Sequence, residues 1–291
     1  MDLISVRLCP SQTDADQHAL VLTAVGIQSH TAGEDDGVML YVVVTDAPEA
    51  IRQLAAYDEE EARRVRAPSR AKFLVPKPEG PLAFIAVMLF FFAAPEASAW
   101  NIDGLAKGAA QAGLIMQGDW WRTATALFLH VDGSHLLGNL AMGVVVGLLV
   151  AQLLGSGVAW LAILVSGVLG NALNAAIQLP SHTAIGASTA VFGGIGLLAG
   201  FTQVSSSAPW HRGARRWAPA GAGLALLVLM GTAGERTDIW AHVTGFVSGG
   251  LMGLVFGRYG AGLVARPRLQ ALCGLVTAAF IASAWLVALC A

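Results

Sequence analysis

From about residue 81 onward this chain carries one apolar stretch after another, each close to the roughly 20 residues that a membrane-spanning helix needs. In lipid a backbone must satisfy its own N–H and C=O groups, so such stretches fold as helices that cross the bilayer. Spans are read at 81–97, 136–154, 157–178, 187–204, 218–234, 239–257 and 270–290, with Pro95 and Glu96 interrupting the first. Composition agrees: 55% hydrophobic against 12% charged residues over 291 positions excludes an ordinary soluble enzyme. The net charge of −2 gives no reason to expect a nucleic-acid partner, and in a membrane chain the placement of Lys and Arg matters more than their sum.

That placement sets the orientation. Arg63, Arg64, Arg66, Arg70, Lys72 and Lys77 precede the first span; Arg212, Arg215 and Arg216 lie between the fourth and fifth; Arg258, Arg266 and Arg268 lie between the sixth and seventh. Positive residues mark the cytoplasmic side. The other loops hold only Lys107, Arg122 and Arg236, so seven spans with a cytoplasmic N-terminus fit without conflict. The opening "MDLISVRLCPSQTDADQ" lacks the basic start and apolar run of a secretory signal, which agrees with that orientation and with a bacterial inner (plasma) membrane.

Ahead of the spans, residues 1–62 read as a small soluble α+β domain. "LISVRL" alternates as a strand, "QTDADQHALVLTAVG" has helical spacing, "GIQSH" is a short strand, "VMLYVVV" a strong one and "APEAIRQLAAY" a closing helix, giving the order βαββα. His18 and His30 are read as packed or surface residues. Residues 63–80 form a basic, Pro-containing linker. Cys9, Cys273 and Cys290 lie far apart without metal-ligand spacing, so neither a zinc site nor a disulfide framework is expected.

The polar residues left inside the apolar stretches are not scattered. Spans two, four and six run in the same direction, so their N-terminal ends share the outer face. His135 and Asn139 open span two, Ser188 opens span four and His242 lies in the first turn of span six. Ionisable groups at membrane depth point to function, and these suit acyl transfer. A serine needs a base within about 3 Å to become a nucleophile, and an imidazole serves. The oxyanion that forms needs donors aimed at it. His135 and Asn139, four residues apart on one helix face, supply two, and the unpaired N–H of Ser188 at a helix start supplies a third. The expected site is a Ser-His dyad with a composite oxyanion hole. Gly245, Gly249, Gly253 and Gly257 recur every four residues on span six, and Gly196 and Gly200 repeat that spacing on span four. Such small residues permit close helix packing, which would bring His242 to Ser188. Asn171 and Asn174 are read as interhelical hydrogen-bonders, and Asp238 as a solvated loop carboxylate beside Glu235 and Arg236.

In "HVDGSHLLGN" at 130–139, "GAST" at 186–189 and "AHVTGFVSGG" at 241–250, with "WWR" at 120–122 in the long loop after the first span, the chain resembles the rhomboid family of intramembrane serine proteases. The resemblance covers roughly 81–257. It implies a polytopic α-helical membrane protein with a six-helix rhomboid core over 81–257 and a cytoplasmic loop plus a seventh transmembrane helix over 258–291, a six-plus-one arrangement the family also uses. It further implies Ser188 as nucleophile, His242 as general base, His135 and Asn139 as oxyanion donors, and His130 as a structural loop-side histidine. Gly186, Phe192 and the outer-loop His182 are the expected substrate-binding residues. Neither metal nor organic cofactor is implied. The partners implied are transmembrane protein substrates, which enter sideways from the lipid bilayer past a gate formed by span five and the loop ahead of Ser188.

Two differences from the family pattern stand out. Thr189 follows the serine where glycine is common, adding bulk between spans four and six. Phe192 replaces a common tyrosine; it keeps a ring to stack on the base but has no hydroxyl. A non-proteolytic rhomboid-like protein that binds membrane clients is the alternative that Thr189 keeps open. A nucleophile elbow is excluded by Ala190 in the position of its last glycine and by the membrane context. A transporter would favour midplane sites and internal repeats, which the sequence lacks.

Overall fold

A computed structural model of the chain describes residues 2–66, 78–93, 103–205, 213–231, 238–260 and 262–291. Arg70, Lys72 and Lys77 of the expected linker, the Pro95–Glu96 interruption, Arg212, Glu235 and Arg236 lie outside the described residues. The chain divides into two compact units, Met1–Lys72 and Phe73–Ala291.

In the first unit, β1 (Leu3–Cys9), α1 (Gln12–Ala24), β2 (Ser29–Glu34), β3 (Gly37–Val43) and α2 (Ala47–Arg66) follow in order. The sheet is antiparallel with order β1-β3-β2. Leu40 and Val42 alternate onto the buried face of β3, where Leu22 of α1 and Ala50 and Leu54 of α2 close a small core. Ser11 caps α1 by accepting the Asp14 N–H at 3.2 Å.

The second strand lies later than the sequence suggests, at 29–34 rather than 26–30. "SHTAGE" is an exposed edge strand, so burial imposes no apolar alternation on it, and its position follows from the tight Asp35–Asp36 turn that pairs Glu34 with Gly37. The last helix also runs to Arg66, beyond the expected boundary at 62. Its "DEEEARR" stretch spaces acids three and four residues before arginines, a pattern that favours continuing the helix past the residues that pack on the core.

His18 is packed, only 3% exposed. Its Nδ1 lies 2.6 Å from the Asp14 carbonyl oxygen and its Nε2 lies 3.4 Å from Asp58 Oδ1. Arg7 donates to Asp58 at 2.5 Å and holds that carboxyl below its ordinary range. Cys9, Asp14 and His18 bring their side-chain ligand atoms within 4.8 Å of one another, a proximity the sequence spacing did not suggest.

In the second unit a helix stands at each apolar stretch. These are α3 (Glu79–Ala93), α7 (Gly133–Leu154), α8 (Ser156–Ile177), α9 (Ser188–Val204), α10 (Ala218–Gly231), α11 (Ile239–Tyr259) and α12 (Pro267–Cys290). Among the described residues α7, α8, α11 and α12 are long and apolar enough to cross a membrane. The chain is thus a polytopic helical membrane protein. Between α3 and α7 the chain forms α4 (Gly104–Gly108), β4 (Ala110–Gln111), α5 (Ala112–Met116) and α6 (Arg122–Thr125), and β5 (Thr183–Ala184) pairs with β4 ahead of α9.

α9 is the centre of this unit: every residue from Thr189 to Thr202 is buried. Against it α11 approaches backbone to backbone, because glycine leaves no side chain in the way. A Cβ on Gly249 would overlap the carbonyl oxygen of Gly193, and one on Gly253 would overlap that of Leu197. From the other side Gly196 and Gly200 press on the carbonyls of Phe246 and Gly250. Helices in lipid gain little from the hydrophobic effect, so this packing is what joins them. On the far side, Gln270 of α12 staples the turn between α7 and α8, donating to Leu154 O at 2.9 Å and accepting from Val158 N at 3.0 Å. A 470 Å³ apolar cavity lies among α3, α7, α8 and α12, beside Phe84 and Trp160; Ser188 and His242 do not line it.

Candidate active site

Ser188 is the first residue of α9 and His242 stands in the first turn of α11. Because those two helices meet through glycine, the two side chains face each other: Ser188 Oγ lies 2.8 Å from His242 Nε2. Such a distance lets Nε2 accept the hydroxyl proton. His242 is buried, and its Nδ1 has no hydrogen-bond partner among the described residues. Among the described residues no carboxylate stands on the second ring nitrogen. Phe192, one turn after Ser188, is 1% exposed and stacks on the imidazole with ring centroids 4.4 Å apart and planes at 21°.

The bulk that Thr189 adds is accommodated. Its Cγ2 occupies the space that a Cβ on Gly170 would need, 2.7 Å away, and it lies 3.0 Å from where a Cβ on Gly245 would stand. Glycines on α8 and α11 together give up the room that a glycine after Ser188 would have left.

Gly186 has φ +119°, a conformation that side chains resist, and a Cβ there would come within 2.8 Å of His135 Cε1 and Nε2. The His135 ring therefore rests on the Gly186 backbone beside the serine. His130 approaches from the loop before α7, ring to ring with His135 at 5.0 Å, and its Nε2 lies 3.5 Å from the Ala187 N–H. Asn139 is 6% exposed and its amide donates to the His135 carbonyl at 3.0 Å. In this state Asn139 is engaged with its own helix. Asp132 caps that helix, accepting the His135 N–H at 2.8 Å.

Two further residues take partners that differ from the sequence reading. His182 Nε2 lies 2.7 Å from Asp238 Oδ2, and Asn174 Nδ2 donates to the same oxygen at 2.7 Å. Asp238 is thus held by protein groups, with 16% of its side chain exposed. The aspartate stands at the N-cap position of α11, a spacing that sequence reasoning could have used. Asn171 of α8 donates to the Thr123 carbonyl of α6 at 2.9 Å, an interhelical bond as expected.

The loop motif is equally built in. The Arg122 guanidinium is buried and donates to the Ala106 and Ala109 carbonyls at 2.9 and 3.1 Å and to Asp119 at 2.8 Å. Backbone bonds then stitch the segment ahead of Ser188 to this loop: Gly113 N to Pro180 O, Ala112 N to His182 O and Gly186 N to Ala126 O, each 2.9 Å. These bonds anchor that segment to the loop before α7.

Residues 117–259 match the Rhomboid domain family. The rhomboid protease GluP of Bacillus subtilis is 29% identical over 220 residues, covering 73% of this chain and 41% of its own length. Rhomboid-like protease 3 of Toxoplasma gondii is 31% identical over 142 residues, 49% of this chain and 54% of its own length. Rhomboid-like protease 2 of the same organism is 32% identical over 144 residues, 48% and 49% of the two. The chain spans about half the length, or less, of these relatives. The domain match encloses both Ser188 and His242, so the part of the chain that carries them is a Rhomboid domain.

Proposed function

We propose that the chain is an intramembrane serine endopeptidase that cleaves transmembrane helices of other membrane proteins through a Ser188–His242 dyad and an acyl-enzyme. The observation that carries this reading is the 2.8 Å contact between Ser188 Oγ and His242 Nε2. In the first step His242 Nε2 takes the hydroxyl proton while Oγ bonds to the scissile carbonyl carbon, whose oxygen becomes an oxyanion. The Ser188 N–H, without an intrahelical partner at the helix start, and the His135 imidazole, which lies against Gly186, donate to it. Asn139 joins them once its amide turns from the His135 carbonyl. Collapse breaks the C–N bond, and the leaving amine takes the proton from His242. Water then repeats the sequence on the acyl group, with His242 receiving its proton and returning it to Ser188. Phe192 lies within the distance at which a ring face stabilises a cation, about 0.5–1 kcal/mol for an imidazolium, which suits a base without a carboxylate partner.

A bilayer placement supports the same reading. The 17 residues of α9 extend about 26 Å, several ångströms less than a hydrocarbon core of about 30 Å. Its C-terminal end meets the Gly213–Trp217 turn, where Thr202 and Gln203 donate to the Arg216 carbonyl and Arg216 lies over the Trp217 ring, 5.6 Å from its centroid. Arg and Trp favour the interface. With that end at the cytoplasmic surface, Ser188 is recessed below the opposite one, close enough for water and deep enough for a spanning helix. The helices α3, α7, α8, α9, α10 and α11 then form a six-helix catalytic core, α12 is a seventh crossing and the N-terminal α+β unit is cytoplasmic. Substrate enters beside α10, since the segment ahead of Ser188 is stitched down.

Covalent capture tests this directly. Incubation of the purified chain with a fluorophosphonate is expected to add one phosphonyl group at Ser188, located by peptide mass spectrometry, and His242→Ala is expected to slow the reaction at least about 100-fold. A folded wild-type chain that stays unlabelled at Ser188 overturns the proposal. Gly186→Ala combines the positive φ with the contact on His135. Its kcat is expected to fall about 100-fold with KM little changed, as for a small misplacement of reacting groups.

A further inference from the structure

The cluster at the start of α11 takes no part in the steps above, yet it joins all three parts of the chain that frame the dyad. We infer that Asp238 is a positioning residue, whose carboxylate clasps the first turn of α11 to the end of α8 and, through His182, to the segment leading into Ser188. The inference rests on reading Ser188 and His242 as the dyad.

Each bond in the clasp has a distinct anchor. Asp238 Oδ1 accepts the Ala241 N–H at 3.0 Å, and its main-chain carbonyl accepts the His242 N–H at 3.3 Å. One carboxylate thus holds the turn that carries the base. Oδ2 accepts from Asn174 Nδ2 of α8 and from His182 Nε2, both at 2.7 Å. Asn174 is only 3% exposed, so this acceptor satisfies a buried amide. His182 is itself fixed to the chain around it: its N–H donates to Leu179 O at 2.8 Å and its carbonyl accepts from Ala112 N at 2.9 Å. The path from His182 to Ser188 is six residues long and passes through β5 and Gly186.

The physical need is plain. The first turn of a helix has N–H groups without intrahelical partners and frays unless they are met. His242 stands at the edge of that turn, and its contact with Ser188 does not survive a displacement of an ångström. Glycine packing fixes α11 against α9 further along the helices, and Asp238 fixes the backbone of its first turn. Bonds to an ionised acceptor are the stronger kind, and Oδ2 takes two of them. Because Asp238 does not touch His242 Nδ1, it acts through the helix backbone and not as a third member of a proton relay. His182, which the sequence placed against substrate, is the second half of the clasp.

Two conservative changes separate the clasp from the cap. Asp238→Asn keeps a good N-cap but has a single side-chain oxygen and no charge, so it cannot accept from Ala241, Asn174 and His182 together. His182→Gln keeps an N–H donor at similar reach, whereas His182→Ala has none. The full-length chain in detergent would be measured for kcat and KM on a reporter transmembrane substrate and, in parallel, for the rate of fluorophosphonate labelling. The small probe needs the dyad but not the substrate's seat. Asp238→Asn and His182→Ala are expected to lower kcat and labelling together, about tenfold, with KM within about twofold. His182→Gln is expected to restore both, and the double variant to be no worse than the weaker single one, because His182 acts through its bond to Asp238.

Wild-type kcat and labelling in Asp238→Asn, or a raised KM with unchanged labelling in His182→Ala, would overturn the inference; the latter result would return His182 to the substrate. Failure of the dyad itself is separately visible, as labelling and cleavage that persist in Ser188→Ala.

Discussion

Ser188→Ala is expected to remove cleavage of a reporter transmembrane segment to background, a loss of at least about 1,000-fold in kcat, and His242→Ala to remove it as completely. The reason is that neither half works alone: a serine hydroxyl without its base is a weak nucleophile, and an imidazole without the hydroxyl has nothing to activate. The double variant should therefore lose no more than either single one. Binding should persist, because the substrate's seat is built from other residues, so a photo-crosslinked substrate should still be captured by Ser188→Ala. The assay is gel-resolved cleavage by purified chain in liposomes. Cleavage that continues at a tenth of the wild-type rate in Ser188→Ala would remove the serine mechanism.

The second large effect is on the fold and arrives far from the hydroxyl. Gly249→Val would drive a branched side chain into the Gly193 carbonyl of α9, and a backbone atom cannot rotate away as a side chain can. Overpacking of ordinary cores costs about 1–3 kcal/mol, and this substitution is expected at or beyond the top of that range. The accommodating movement is a separation of α11 from α9, which carries His242 away from Ser188. Activity should fall about 100-fold or more even in the fraction that remains folded. Gly274→Ala on α12 is the matched control, since a Cβ there meets nothing within 4 Å; it should leave both melting temperature and cleavage unchanged. A Gly249→Val chain with wild-type melting and turnover would show that the two helices are not held by this approach.

Where the sequence spoke clearly, the signal was physical and local. Apolar stretches of helical length leave the backbone one way to satisfy itself, and helices occupy those positions. The proximity of Ser188 and His242 was also readable, because the small residues that permit it recur at a fixed spacing. Other features were hidden for identifiable reasons. The strand Ser29–Glu34 is exposed at a sheet edge and carries no burial pattern. The tolerance of Thr189 depends on Gly170, a glycine of a third helix that no spacing connects to the serine. Asp238 looks like a loop carboxylate because its partners are 64 and 56 residues away in sequence. Asn139 shows its type in the sequence but not the direction of its amide, which a carbonyl of its own helix captures. Long-range polar pairs have no periodicity, so only the folded chain reveals them.

The burial of α9 along its length from Thr189 to Thr202 carries one more consequence. A helix walled in by its neighbours on every side is a fixed post, with no free face along which lipid or partner could push it. Ser188, mounted on that post, stays in place while peripheral helices shift. Changes in bilayer thickness or lipid type are accordingly expected to leave the intrinsic reactivity of the hydroxyl constant, so that any effect of membrane composition on cleavage would fall on how often a substrate arrives.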